Sequence, residues 1–311
     1  MKSGASVKLS NRKWQGVKLF LLSLPFILAT FIFAYLPLSG WRYAFFDFRA
    51  GQKLLDTPFV GLKHFTALVS NSVQRNDLIR VLRNTFAMSL LSIATSFFPM
   101  FFAIALTEIR GNKYRRVVQT VTTIPNFISW VLVYSLAFAM FSVNDGMVNK
   151  VLVGLGWMSE PINFLASKDN VWLSMLLYSV WKTLGWNAIM YIAAIMGIDA
   201  ELFEAASIDG ASRMQKIIHI TIPCLLPTYF VLLMLSIGNF LNNGIDQYYV
   251  FQNALNQDYI EVLDLYVYNK GFVGRNISFS TAVGMLKSLI SVVLLFGANG
   301  FSKLIRKESI L

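Results

Sequence analysis

The chain has 311 residues, of which 56% are apolar and 14% are charged, and its mean hydropathy is +0.56. This composition excludes an ordinary soluble protein, because a soluble fold of this length needs more charge to keep its surface hydrated. The net charge of +11 does not indicate nucleic-acid binding, since the basic residues cluster at the ends of apolar segments, as membrane-topology signals do.

Six apolar stretches are long enough to cross a membrane, which takes about 20 residues of helix. They are 19–41, 84–107, 117–144, 170–198, 220–245 and 276–302. Each is predicted to be helical, because lipid offers backbone polar groups no other partner. Five prolines within them predict kinks: Pro25, Pro37, Pro99, Pro125 and Pro227. The first stretch is too long for a signal-peptide core and is interpreted as an uncleaved anchor.

The distribution of Lys and Arg predicts the orientation. One side of the predicted membrane holds 14 basic residues in 61 positions, in segments 1–18, 108–116, 199–223 and 303–311. The other side holds 11 in 108 positions, in segments 40–83, 143–170 and 243–278. The first side is about twice as rich in basic residues, so both termini are expected in the cytoplasm.

The cytoplasmic loop 199–223 carries the most specific pattern. Good helix formers continue to Ala206, Asp209-Gly210 interrupts them, and a second helical stretch runs to Pro223. The loop is therefore predicted to form two short helices at an angle, joined at Gly210, which could fit a groove on another protein. The alternative is an amphipathic helix that lies on the bilayer surface.

The same loop resembles the EAA loop of permeases in ATP-binding cassette (ABC) importers. That pattern is E-A-A, three residues, G, nine residues, then I-x-L-P. It is matched here, with Ile222 in place of the Leu, by Glu204, Ala205, Ala206, Gly210, Ile220 and Pro223. Further segments resemble the branch that carries complex oligosaccharides, such as pectin, alginate or glycan fragments: 60–65, 84–85, 125–130, 180–187, 264–268 and 282–284.

This resemblance implies an all-α integral membrane fold of the type I importer class. A cytoplasmic segment 1–18 would precede a six-helix permease domain at 19–311. The implied partners are a second related permease, two ATPase subunits that use ATP and Mg²⁺, and an extracellular sugar-binding lipoprotein in a bacterial cell membrane. The residues implied to contact the ATPases are Glu204, Ala205, Ala206, Asp209, Gly210, Ile220 and Pro223.

The residues themselves support part of this assembly. A phosphate-binding loop needs a Gly-Lys dipeptide, and the chain has none, so another subunit must hydrolyse ATP. One cysteine, Cys224, and two isolated histidines give no basis for a metal site, a cofactor or a membrane-embedded catalytic centre. The chain is therefore predicted to be a transport subunit and not an enzyme.

Polar and aromatic residues inside the spans are candidates for a sugar pathway, because lipid-facing positions reject polar groups and sugars stack on aromatic faces. The candidates are Tyr178, Trp181, Lys182, Trp186 and Asn187 in the fourth span, with Asn239 and Lys287 in later spans. Tyr178, Lys182 and Trp186 share one helix face at a spacing of four. Interfacial anchoring or helix packing is the alternative for the aromatic residues.

Lys182 is the sharpest of these candidates. A lysine near the centre of a span costs about 2.5–3.5 kcal/mol on insertion scales. The six spans contain no Asp or Glu, so the ammonium is expected to face a wet cavity, a partner subunit or the substrate. Lys287 could instead extend its ammonium toward the membrane surface.

The predicted outer loop 243–278 is rich in tyrosine. It is interpreted either as a docking surface for the binding protein, or as an amphipathic helix that lies on the membrane or ordinary packing, and the sequence does not separate these interpretations. Two other functions stay open: an ABC importer permease for another small polar solute, and an ion-coupled secondary transporter. The second usually needs carboxylates within its spans, which this chain lacks.

Overall fold

The computed structural model describes residues 4–306, and the side chains of residues 14–300. Residues 1–3, at the start of the predicted segment 1–18, and residues 307–311, at the end of the predicted domain 19–311, lie outside the described residues. The chain forms two compact units. The first combines Met1–Thr66 with Lys270–Met285, and the second combines Ala67–Asn269 with Leu286–Leu311.

The first unit begins with α1, Gly4–Thr30, which continues through a π-helical turn, Phe31–Tyr35, into a 3₁₀ helix, Leu36–Phe45. Together they supply a 32-residue apolar stretch from Trp14 to Phe45 that is long enough to cross a membrane. Within this unit the backbone N–H of Phe48 donates to Ser278 Oγ at 2.9 Å. A short helix, α2 (Lys63–Ser70), leads out of the unit.

The second unit holds most of the remaining helices. They are α3 (Ser72–Ala94), α4 (Phe98–Thr107), α5 (Asn112–Thr123), α6 (Trp130–Phe141), α7 (Met147–Gly154), α8 (Val171–Met196), α9 (Ala200–Ile208), α10 (Arg213–Lys216), α11 (Ile222–Gly238), α12 (Asp246–Phe251), α13 (Gln257–Ile260) and α14 (Leu263–Tyr268). The last helix, α15 (Ile277–Arg306), begins in the first unit and ends in the second.

Four continuous helical stretches of the described chain are long and apolar enough to span a membrane: Trp14–Phe45, Ser72–Thr107, Arg213–Gly238 and Ile277–Gly300. A bent pair, α5 with α6, would make a fifth. The sequence predicts six. The remaining predicted span is α8, whose bounds agree with the prediction but whose tryptophans, hydroxyls and Lys182 make it less apolar than the others.

The third predicted span is broken. Asn112–Phe127 and Trp130–Phe141 meet at 104°. Between them lies a 3₁₀ turn, Ile124–Phe127, with Pro125 in its first turn, followed by an extended Ile128. Ser129 then begins α6, and its hydroxyl accepts the N–H of Leu132 at 3.4 Å. We refer to residues 124–129 as the break.

The part of the outer loop that lies in the second unit packs into its core. Tyr248, Phe251, Ile260, Val262 and Leu265 are all buried. They join a hydrophobic cluster with residues of α3, α6 and α8. This arrangement is the packing alternative of the sequence analysis.

Polar contacts fix the same segment to α3. Asn84 Nδ2 donates to the carbonyls of Asp258 and Glu261, each at 3.0 Å. Arg80 pairs with the Glu261 carboxylate at 2.8 Å, and the Arg83 guanidinium lies 4.8 Å from the centre of the Tyr259 ring. Arg80 and Arg83, which count among the basic residues of the predicted outer segment 40–83, therefore bind the protein's own outer loop.

Candidate functional site

The loop 199–223, which we call the coupling elbow, has the short helix α9 before Gly210 and α10 after it. The sequence predicts a second short helix, but α10 continues through a π-helical turn, Ile217–Thr221, into α11. Asp199 caps α9, because its carboxylate accepts the N–H of Glu201 at 3.0 Å. Ser212 and Gln215 form a reciprocal capping box at the start of α10. Both helix starts are therefore fixed by their own side chains.

Gly210 ends α9 in a left-handed conformation, with φ of +75°. The N–H of Ala211 donates to Ala206 O at 2.9 Å, and the N–H of Gly210 donates to Ser207 O at 3.2 Å. This pair of bonds is the Schellman arrangement, which favours glycine because it needs positive φ. The predicted helix–glycine–helix elbow is present.

The elbow presents a surface that the described chain leaves open. Glu204, Ala205, Asp209, Gly210 and Pro223 are exposed. Ala206 and Ile220 are half-buried. Beside them, Ile208 exposes 88% of its surface. An acidic residue next to an apolar one at the tip of a rigid turn is suited to contact another protein.

A cavity of about 470 Å³ lies in the second unit between α3, α4, α8 and α11. Among the described residues its wall contains hydroxyls, amides and apolar groups but no charged side chain. Its polar lining includes Ser89, Ser96, Thr183, Asn187, Asn239 and Gln247. A wall of uncharged donors and acceptors can bind the hydroxyl groups of a neutral polar ligand.

Most of the α8 side chains that form the polar wall of this cavity lie beside the face that Tyr178, Lys182 and Trp186 share. Ser179, Thr183, Asn187 and Tyr191 recur every four residues and all line the cavity. The predicted face starts one residue earlier, about 100° away around the helix. Three further serines that line the cavity were missed, although their spacing of three and four offered a signal. They are Ser89 and Ser92 of α3 and Ser96 in the turn that follows it.

The other predicted pathway residues divide between the cavity and the protein core. Trp186, Asn187 and Asn239 line the cavity. Tyr178 stacks on Phe251, with ring centres 4.9 Å apart, and is part of the core. Trp181 exposes 44% of its surface and does not line the cavity.

Lys287 has an acidic partner from the predicted outer loop. Its ammonium pairs with the Asp264 carboxylate, and the two side chains are only 13% and 15% exposed. The other oxygen of that carboxylate accepts the N–H of Gly244 at 2.9 Å. The outer loop thus supplies the acidic partner that the spans themselves lack.

Lys182 is 7% exposed and its ammonium points into the break of the third span. It donates to the carbonyls of Pro125 at 3.1 Å, Asn126 at 2.7 Å and Ile128 at 2.6 Å. The Trp130 ring centre lies 5.5 Å away. The sequence analysis expected a cavity, a partner subunit or the substrate as the neighbour of this ammonium. The carbonyls of the break take that place instead.

Comparison with known proteins decides the family. Residues 96–307 match the family described as the binding-protein-dependent transport system inner membrane component. The chain belongs to this family. The match covers the coupling elbow and the α4, α8 and α11 walls of the cavity, whereas α3 lies before the matched residues.

Curated relatives and solved structures agree with this membership. The permease is 37% identical to protein LplB of Bacillus subtilis, over 97% of this chain and 92% of that one. It is 36% identical to the polygalacturonan/rhamnogalacturonan transport system permease protein YteP of the same organism, over 98% and 92%. A chain of a bacterial ABC transporter involved in the import of the acidic polysaccharide alginate is similar in structure. The TM-score is 0.83 and the identity 31%, with 95% of this chain and 99% of that chain covered.

Proposed function

We propose that this permease carries oligosaccharides through a bacterial cell membrane as the non-catalytic subunit of an ATP-driven importer. The observation that carries the proposal is the cavity between α3, α4, α8 and α11, whose wall offers uncharged hydroxyl and amide groups. Such groups exchange hydrogen bonds with sugar hydroxyls. Two of the relatives named above support the same substrate class: a permease of a polygalacturonan/rhamnogalacturonan transport system and a transporter involved in alginate import.

The energy for transport would enter at the coupling elbow. We infer that two ATPase subunits bind ATP and Mg²⁺ and receive the elbow in a surface groove. Glu204 and Ile208 are exposed on α9, and the Gly210 turn joins α9 to the helical stretch that continues into α11. A rigid turn of this kind can pass a rigid-body movement into α8 and α11.

The proposed topology has six spans and cytoplasmic termini. α8 would be the sixth span, since its 26 residues extend about 39 Å at helical rise, more than the hydrocarbon core needs. The proposed partners are a second related permease and an extracellular sugar-binding lipoprotein. A bacterial alginate ABC transporter of similar structure forms a complex with an alginate pentasaccharide-bound periplasmic protein, which supports a partner of that kind.

Uptake by the reconstituted transporter tests the proposal. The permease would be purified with its partner subunits, placed in proteoliposomes and supplied with radiolabelled alginate oligosaccharides, oligogalacturonides or a neutral oligosaccharide. We expect ATP-dependent uptake of at least one of them. Asn187→Leu, in the cavity wall, should raise the apparent KM by up to about tenfold, because one hydrogen bond to a sugar hydroxyl contributes about 0.5–1.5 kcal/mol. Trp181→Phe, outside the cavity, is the control.

Three outcomes would contradict the proposal. Uptake of a small solute such as glycerol 3-phosphate, with no uptake of any oligosaccharide, would favour a permease for other polar solutes. Uptake driven by an ion gradient without ATP would favour a secondary transporter. Equal KM effects of Asn187→Leu and Trp181→Phe would remove the cavity from the pathway.

A further inference from the structure

We propose that Lys182 holds the break of the third span in its bent geometry and is a positioning residue for transport. It would act through the backbone of residues 125–128 and not through contact with the sugar. The role concerns the fold of the permease and does not depend on which substrate is carried.

The number of N–H donors on the Lys182 ammonium equals the number of carbonyl oxygens around it. An ammonium has three N–H donors, and each lies within 3.1 Å of a different carbonyl oxygen of the break. One of these carbonyls, Pro125 O, also accepts the N–H of Ile128 at 3.2 Å. With all three donors engaged on backbone and 7% of the residue exposed, Lys182 has no donor left for a ligand.

The break creates the need for such a partner. A helix that bends by 104° interrupts the regular pattern in which each carbonyl accepts an N–H four residues later. Carbonyl groups left without donors are strongly disfavoured within a membrane. The C-terminal end of the first half, α5 with its 3₁₀ turn, also carries a partial negative charge, which a cation stabilises.

The packing of α8 against α5 holds the lysine at the break. Gly185, three residues after Lys182, lies so close to α5 that an added Cβ would be 2.3 Å from Thr122 O. Trp186 then meets Phe127 edge to face, with ring centres 5.6 Å apart. Because Trp186 also lines the cavity, the break and the cavity wall are joined through adjacent residues of α8.

Spin labelling of the assembled transporter tests this role without any substrate. In a Cys224→Ser background, a label replaces Ile124, which is the first residue of the break and is 51% exposed. A label at Val117, 58% exposed and earlier in α5, is the control. We expect Lys182→Met to increase label motion at residue 124 and leave residue 117 unchanged. Lys182→Arg, which keeps five donors, should restore the slower motion.

Transport kinetics supply the second measurement. With an oligosaccharide that the wild-type transporter imports, Lys182→Met should lower the maximal rate on the order of tenfold and leave the apparent KM within about twofold. If Lys182→Met fails to assemble, the proposal is judged on Lys182→Arg, which must assemble and keep residue 124 immobile. Unchanged motion at residue 124, or a raised KM with an intact maximal rate, would overturn the proposal and assign Lys182 to the substrate.

Discussion

The two lysines within predicted spans are stabilised by different kinds of partner. Lys287 pairs with the carboxylate of Asp264, which comes from the outer loop. Lys182 has the carbonyl oxygens of a broken helix as partners. An ion pair leaves a charge behind when one member is removed, whereas a set of carbonyls leaves only dipoles. Substitutions at the two positions should therefore differ in their consequences.

Lys287→Met is expected to destabilise the second unit by about 3–5 kcal/mol, because the Asp264 carboxylate would stay buried without its cation. The double variant Lys287→Met/Asp264→Asn should recover most of that loss, since the amide carries no charge. Thermal unfolding of the purified transporter, followed by size-exclusion fluorescence, measures both. Equal stability of the single and double variants would show that the pair contributes nothing beyond its individual side chains.

The polar face of α8 shows why the sequence alone did not indicate most of the α8 residues that line the cavity. Large polar and aromatic residues marked the face of Tyr178, Lys182 and Trp186. The cavity uses the adjacent face, whose Thr183 is inconspicuous because its hydroxyl can bond within its own helix, here to Ser179 O at 2.9 Å. Which face of α8 lines a cavity depends on how α3 and α11 pack beside it, and the sequence of α8 does not contain that tertiary information.

At the scale of helices, the approach of α8 to α5 depends on one glycine. Gly185→Ala should separate the two helices, because its Cβ would collide with backbone atoms of Thr122 and Thr123 that cannot rotate away. We expect a loss of about 1–3 kcal/mol in stability, and transport reduced with it. Gly284→Ala, where an added Cβ meets no atom within 4 Å, is the matched control and should leave both measurements unchanged.

The coupling elbow gives a test based on backbone conformation. Gly210 has open space around its Cβ position but a φ of +75°. Gly210→Val should cost about 1–3 kcal/mol of local strain and abolish uptake, whereas Gly210→Asn should keep most of it, because asparagine tolerates this region. ATP-dependent uptake by inserted protein measures both. Wild-type uptake by Gly210→Val would remove the elbow from the coupling role.

Glu204→Lys tests the charge at the elbow separately from its shape. Glu204 is exposed and lies within α9, so its replacement should leave the fold intact. If it pairs with a basic group of an ATPase subunit, reversing its charge should prevent binding of that subunit. Co-purification of the ATPase with the membrane-inserted variant is the measurement, and retention at the wild-type level would contradict the pairing.

Proline positions predicted kinks, but they did not predict the break. Pro25 and Pro227 lie inside helices that continue past them, whereas Pro125 lies where two helices meet at 104°. At Pro125, unlike the other two, the carbonyls beside the proline accept bonds from Lys182 of α8, to which we attribute the difference. The helical class, the elbow and most span positions follow from local pattern. A sharp break needs a partner that is distant in sequence.

At the scale of the whole molecule, the density of basic residues predicts the orientation of the chain in the membrane. Single cysteines at residues 160 and 255 should react with a membrane-impermeant thiol reagent added outside intact cells, and one at residue 208 should not. All three positions are exposed, so their reactivity reports access from one side of the membrane. Cys224→Ser removes the native thiol. The opposite labelling pattern would reverse the orientation.

The charge bias itself is diluted by internal contacts. Arg80 and Arg83 lie on the predicted outer side, yet both are bound to the outer loop through Glu261 and Tyr259. Counting them as topology signals therefore understates the asymmetry. A sequence cannot separate arginines that orient a chain from arginines that hold a loop, because the two differ only in their neighbours.

The carbonyl cradle around Lys182 has a consequence for how the transporter is powered. In sodium- and proton-driven carriers, unwound backbone and half-helix ends near the middle of the membrane hold the driving ion. Here the carbonyl oxygens of the break bind the ammonium of Lys182, which is covalently part of α8 and cannot dissociate. A site that is permanently occupied in this way cannot carry a driving ion down its gradient. Uptake should accordingly be indifferent to replacing sodium with potassium on both sides of the vesicle.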